Sequence, residues 1–172
     1  DIQASGIAFD LLVRATGHVD AEALKTELQH ERYDVQGTAQ VKLAEGVRLF
    51  MLDRAEEAAD FLHRALQDVE ETDVKNSWTF PLRTWLASAL RRQAEKTSNL
   101  APQRRNALLD RANQVTRKAV KTARTFQTDL PHALREAGLV AAMQGLIRKA
   151  RAHLDESLAV AERQGARFEH AQ

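Results

Sequence analysis

The 172-residue sequence has no cysteine, three prolines, seven glycines and only 5% aromatic residues. Without cysteine there are no disulfides, no thiolate nucleophile and no cysteine-ligated zinc. No apolar run approaches the ~20 residues that span a bilayer, and no charged n-region followed by an apolar h-region opens the chain. A soluble, cytoplasmic protein is the expectation. Charge of one sign is missing too, since 25 Lys and Arg balance 24 Asp and Glu. The chain as a whole therefore advertises no polyanionic partner, and any charge argument must be local. Scarce aromatics, Gly and Pro, set against abundant Ala, Leu, Arg, Glu and Gln, favour helix over strand.

Catalytic motifs are equally sparse. The histidines, His18, His30, His63, His132, His153 and His170, form no HExxH pair, so no zinc ligand set is visible. The acidic pairs at 56–57 and 70–71 are adjacent residues, which point ~100° apart on a helix and do not form an acid/base couple. Neither GxxxxGK[ST], GxGxxG nor GxSxG occurs. The expectation is a protein that is not an enzyme and takes no cofactor or metal.

What the sequence does contain is an internal repeat. In "AEGVRLFMLDRAEEAADFLHRAL" Gly46 precedes Ala58 and Ala65, and in "EAGLVAAMQGLIRKARAHLDESL" Gly138 precedes Ala150 and Ser157 at the same distances. Leu62 and Leu154 fall between the paired small residues, with Leu66 and Leu158 one turn on, giving each second helix an apolar stripe. Gly145 breaks one long helical pattern into two, and Gly138 allows the halves to lie close. A weaker unit at 7–32 turns at "TGHVDAEAL", and a stretched unit at 78–126 centres on Ala112 and Ala119.

This pattern resembles the tetratricopeptide repeat, a helix-turn-helix unit with small residues where paired helices meet. Lys42 and Leu134 stand where that family places a large aromatic. The segment from residue 104 onward is also similar to the C-terminal repeat tails of large bacterial multidomain signalling ATPases, some of them kinase-linked. The resemblance implies an all-α, right-handed α-solenoid of about four antiparallel hairpins, approximately 3–32, 35–71, 78–126 and 130–164. These form one domain, 1–172, expected to be a fragment of a longer protein. It further implies that the first helix of each hairpin lines a concave groove for an extended peptide or helix, with Gln40, Thr84, Ser88, His132 and Arg135 facing it.

Both tryptophans lie in "NSWTFPLRTWLASALRRQ", where Pro81 suits a first helical turn and Asn76 or Ser77 a cap. Trp78 and Trp85 share a helix face and read as gap-filling core rather than the wall of a groove. Pro102 starts the next helix. That helix, with the residues just after it, has seven basic residues between 101 and 128 against Asp110 alone. At 100° per residue Leu108, Ala112, Val115, Ala119, Ala123 and Phe126 share one side, while Arg104, Arg111, Arg117, Lys118, Lys121 and Arg124 form a basic stripe opposite.

The stripe has three readings: a solvated face paired with acidic neighbours such as "DVEETD" at 68–73, a surface for an acidic protein, or a site for nucleic acid or a phosphate ligand. No base-stacking aromatic is interleaved with it. The functional expectation is a protein–protein interaction and regulatory module of a bacterial signalling or transcription-regulating protein, with no membrane contact. Its partner is a protein, a peptide or another domain of the same chain. Nucleic-acid or phosphate binding is the first alternative, and a structural spacer or oligomerisation segment the second.

Overall fold

The computed structural model describes residues 2–30, 34–72, 79–97 and 101–166, and among these it is all-α. The helices are α1 (Ile2–Thr16), α2 (Ala21–Gln29), α3 (Val35–Met51), α4 (Ala55–Glu71), α5 (Pro81–Lys96), α6 (Pro102–Ala123), α7 (Leu130–Met143) and α8 (Ile147–Gln164), with a 3₁₀ turn at Gln127–Asp129. No helix among the described residues is long and apolar enough to cross a membrane.

Local chemistry sets many of the boundaries. Asp20 accepts from the Glu22 and Ala23 amides at 3.0 Å, and Asp34 accepts from Gln36 and Gly37 at 3.1 and 2.9 Å, capping α2 and α3. Each cap is worth about 1 kcal/mol. Pro81 and Pro102 occupy the first helical position of α5 and α6, where a missing N–H costs nothing. Phe80 stands at the N-cap of α5, and the caps expected at Asn76 and Ser77, like Trp78, lie outside the described residues.

Consecutive helices from α3 to α8 pack on one another, and the odd-numbered helices also touch in series, α1 on α3, α3 on α5 and α5 on α7. Two of the helix pairs are built alike. Beyond α3 the chain turns through Asp53 at φ 62°, with the Asp53 amide on Phe50 O and the Arg54 amide on Leu49 O, both 3.0 Å. Beyond α7 it turns through Gly145 at φ 76°, with the Gly145 amide on Ala142 O and the Leu146 amide on Ala141 O, both 2.9 Å. Each is a Schellman stop, which satisfies two helix-end carbonyls and requires a left-handed residue.

The helices leaving those turns approach closely for the same reason in both places. A Cβ on Gly46 would stand 2.3 Å from Leu62 Cδ2, and one on Gly138 would stand 2.7 Å from Leu154 Cγ. Ser157 at the second small position adds a hydrogen bond to Pro131 O at 2.7 Å. Leu62 and Leu66 are buried, but Leu158 is 47% exposed. The apolar stripe of α4 is covered by later helices, whereas no described helix after α8 covers Leu158.

The main hydrophobic core runs from Val13 and Leu24 through Leu43, Leu62, Leu82 and Leu90, and a smaller one joins Ala119, Ala123, Leu134 and Val160. Trp85 sits in the first, edge-on to Phe50 at 5.5 Å, as core packing requires. Leu109, Ala112, Thr116, Ala119 and Ala123 are the buried residues of α6. Phe126 lies past the end of that helix, 39% exposed, its ring tilted against Phe80 with centroids 4.8 Å apart.

Candidate functional site

Two polar assemblies stand out: a buried seam between α5 and α7, and the exposed basic face of α6. The seam is a ladder of paired side chains one helical turn apart. Thr84 Oγ1 donates to Asp129 Oδ2, Ser88 Oγ meets His132 Nε2 at 3.1 Å, and Arg91 Nε donates to Glu136 Oε2 at 2.7 Å. Arg91 also donates to Glu95 on its own helix, and Arg135 lies 3.8 Å from Glu136. His132 is edge-on to Trp85 at 4.8 Å.

Burial decides what the seam can do. Thr84 and Ser88 are each 1% exposed and His132 is 3% exposed. Desolvation, then the charges of Arg135, Arg14 and Arg91, hold the His132 imidazole well below its ordinary pKa, so it is neutral at pH 7. Ser88, His132 and Asp129 are the residue types of a nucleophilic triad. Their geometry differs, because His132 Nδ1 is 3.8 Å from Asp129 Oδ1, beyond hydrogen-bond reach, and the hydroxyl is closed to substrate. The arrangement is that of a structural polar network, in which buried groups are paired to offset their desolvation.

The five residues expected to face a groove are therefore placed as follows. Thr84, Ser88 and His132 come together inside the α5–α7 seam, and Arg135 borders it. Gln40 is 1% exposed and lies under α1, where Gly6 approaches its Cβ closely; neither of its amide atoms has a hydrogen-bond partner. The helix-surface reading missed Arg91, Glu136 and Asp129, which complete the seam. It also missed Asp10 of α1, buried and ion-paired to Arg14, whose Nε lies 2.7 Å from the carboxylate. Burial raises the Asp10 pKa, with Arg14 opposing.

A scan of family models gives no match for this chain, and neither do searches of curated proteins and of solved structures.

The basic stripe of α6 is exposed along its length at Arg104, Arg111, Arg117, Lys118, Lys121 and Arg124. Arg104 reaches Glu56 at 3.2 Å and Arg124 reaches Glu156 at 2.8 Å. Of the acidic run expected to pair with the stripe, Asp68 pairs with Lys42 and Glu70 with Arg83, Glu70 also borders a cleft with Lys118 and Lys121, and Asp73 lies outside the described residues. The positions differ because neighbour contacts follow the fold, not proximity of charge in sequence. Arg111, Arg117, Lys118 and Lys121 make no ion pair with another described residue. Among the described residues there is no group of three or more His, Asp or Glu side chains placed to hold a metal ion.

Proposed function

We propose that this chain is a non-enzymatic protein–protein interaction and regulatory module, built as a tetratricopeptide-like, right-handed solenoid of four hairpins in a cytoplasmic bacterial signalling protein. The observation that carries the reading is the exposed face of α6, where Arg111, Arg117, Lys118 and Lys121 make no ion pair with another described residue, on a helix whose other side is packed. Unpaired like charges on a rigid helix suit an acidic protein surface, which they would steer and orient. Repetition of the Gly46–Leu62 contact at Gly138–Leu154 supports the repeat kinship. With Gln40, Thr84, Ser88 and His132 buried, recognition through the basic helix is favoured over recognition through those four side chains.

The test is a nuclease-treated pull-down comparing the wild-type chain with an Arg117→Glu, Lys121→Glu, Arg124→Glu variant. An identified acidic protein that survives nuclease and is lost with the variant supports the module. Capture that vanishes with nuclease transfers the stripe to nucleic acid, whose affinity would fall steeply with salt. Turnover of a phosphate ester or peptide by the purified chain, abolished by one point mutation, would sink the non-enzymatic reading.

A further inference from the structure

The periodicity of α6 leaves out a feature that folding adds: α8 brings Lys149 and His153 against the same basic face. A cleft of about 380 Å³ opens between them. Its charged rim is Arg117, Lys121, Arg124 and Lys149, and no carboxylate lines it. Its floor is apolar, with Val120 from α6 and Ala137 from α7. Glu156, whose carboxylate acts on His153, is ion-paired to Arg124. Arg117, Lys121 and Lys149 therefore converge on one concavity with no counter-charge of their own among the described residues.

Like charges gathered around one concavity repel one another, and a bound anion would replace that repulsion with attraction. The positive field registers at His153. Burial first, then Lys149, lower its pKa; Glu156 opposes and Arg124 adds to the lowering. A single carboxylate would neutralise one cation, whereas a phosphate dianion has the charge and the acceptor oxygens to engage three. A cleft of this volume suits one phosphate on a small apolar body, and no Phe, Tyr or Trp lines it to provide a run of stacking platforms for single-stranded nucleic acid.

We propose that the cleft between α6 and α8 binds a small organic phosphate, its head held by Arg117, Lys121 and Lys149 and its body resting on Val120 and Ala137. This site shares Arg117 and Lys121 with the stripe but requires no protein partner, since it is read from the residues that line the cleft between α6 and α8.

The experiment is an NMR titration of the His153 imidazole in the whole chain, with phenyl phosphate as the probe and inorganic phosphate and a single-stranded oligonucleotide as comparators. Phenyl phosphate should bind saturably, raise the His153 pKa and bind more tightly than inorganic phosphate. A Lys121→Gln, Lys149→Gln variant, changed only at exposed positions, should keep the helical circular-dichroism spectrum and bind about tenfold more weakly. The proposal is overturned if phenyl phosphate leaves His153 unmoved, or if the variant binds it equally well. It is also overturned if the oligonucleotide alone produces the response with a steep salt dependence.

Discussion

Gly46→Ala tests the packing logic at its tightest point. In an open helix the change would stabilise by about 1 kcal/mol, because alanine is the better helix former. Here the new methyl would lie 2.3 Å from Leu62 Cδ2 and 2.5 Å from Leu62 Cγ. A terminal methyl can rotate away, but Cγ moves only if Leu62 leaves its rotamer or α4 backs off from α3. Overpacking of that kind costs about 1–3 kcal/mol, and with two leucine atoms inside contact distance the upper part of the range applies. The net expectation is a loss of about 1–2 kcal/mol after the helix-propensity gain is subtracted.

A urea titration followed by circular dichroism reads this directly, and the melting temperature should drop by about 2–4 °C per kcal/mol. The decisive comparison is the double variant. Leu62→Ala alone opens a cavity in a site that is fully buried and should cost about 2–5 kcal/mol. Gly46→Ala in that background loses its clash and partly fills the void, so the double variant should be less destabilised than the sum of the singles. Simple additivity, or stabilisation by Gly46→Ala alone, would refute close approach as the reason for the glycine.

Three further outcomes follow from the buried polar groups. Gln40→Met keeps the volume and removes two unpartnered amide atoms, so it should raise stability by about 1 kcal/mol in a urea titration; a loss would mean that the amide is paired in solution. Arg91→Met leaves Glu136 charged and buried beside Arg135 alone and should cost about 3–5 kcal/mol, while Arg91→Met with Glu136→Leu should regain most of it; a double variant no better than the single argues against the pair. His132 binds protons less readily folded than unfolded, so the unfolded state takes up more protons once pH falls below the ordinary imidazole value of ~6.5. Stability should then fall by up to about 1.4 kcal/mol per pH unit, and His132→Gln should flatten that slope. Asp10, whose carboxyl is raised by burial, acts in the opposite sense at lower pH, and a flat wild-type profile between pH 7 and 5 would contradict the assignment of His132.

The helical class was legible because apolar residues recur at helical spacing, and the turn after α7 because a glycine at 145 interrupts one such pattern. Asp53 carried no comparable signal, yet its backbone adopts the same left-handed conformation as Gly145, at φ 62° against 76°. Aspartate tolerates that conformation better than most side chains, and Lys96 ion-pairs with its carboxylate. Glycine content therefore marked only one of the two equivalent stops. Likewise the stripe on α6 was readable within one helix, whereas Lys149 and His153 joined it only through α8, which periodicity along α6 does not encode.

The α5–α7 seam shows why helix patterning alone stops short of function. Thr84, Ser88 and His132 lie on helix faces that polarity assigns to solvent, yet each is paired across to a partner 44 or 45 residues away. Arg91 and Glu136 repeat the offset at 45 residues. A polar face in sequence cannot distinguish water from a complementary polar face, because both satisfy the same donors and acceptors. The offset distinguishes them: three pairs offset by 44 or 45 residues fix one register between two helices, while alanine-rich contact beside them would tolerate a slide of a turn. The seam thus ties α5, which contributes Leu82, Trp85 and Leu90 to the larger core, to α7, which contributes Leu130, Ala133 and Leu134 to the smaller one, and α6 and α8 both pack on α7.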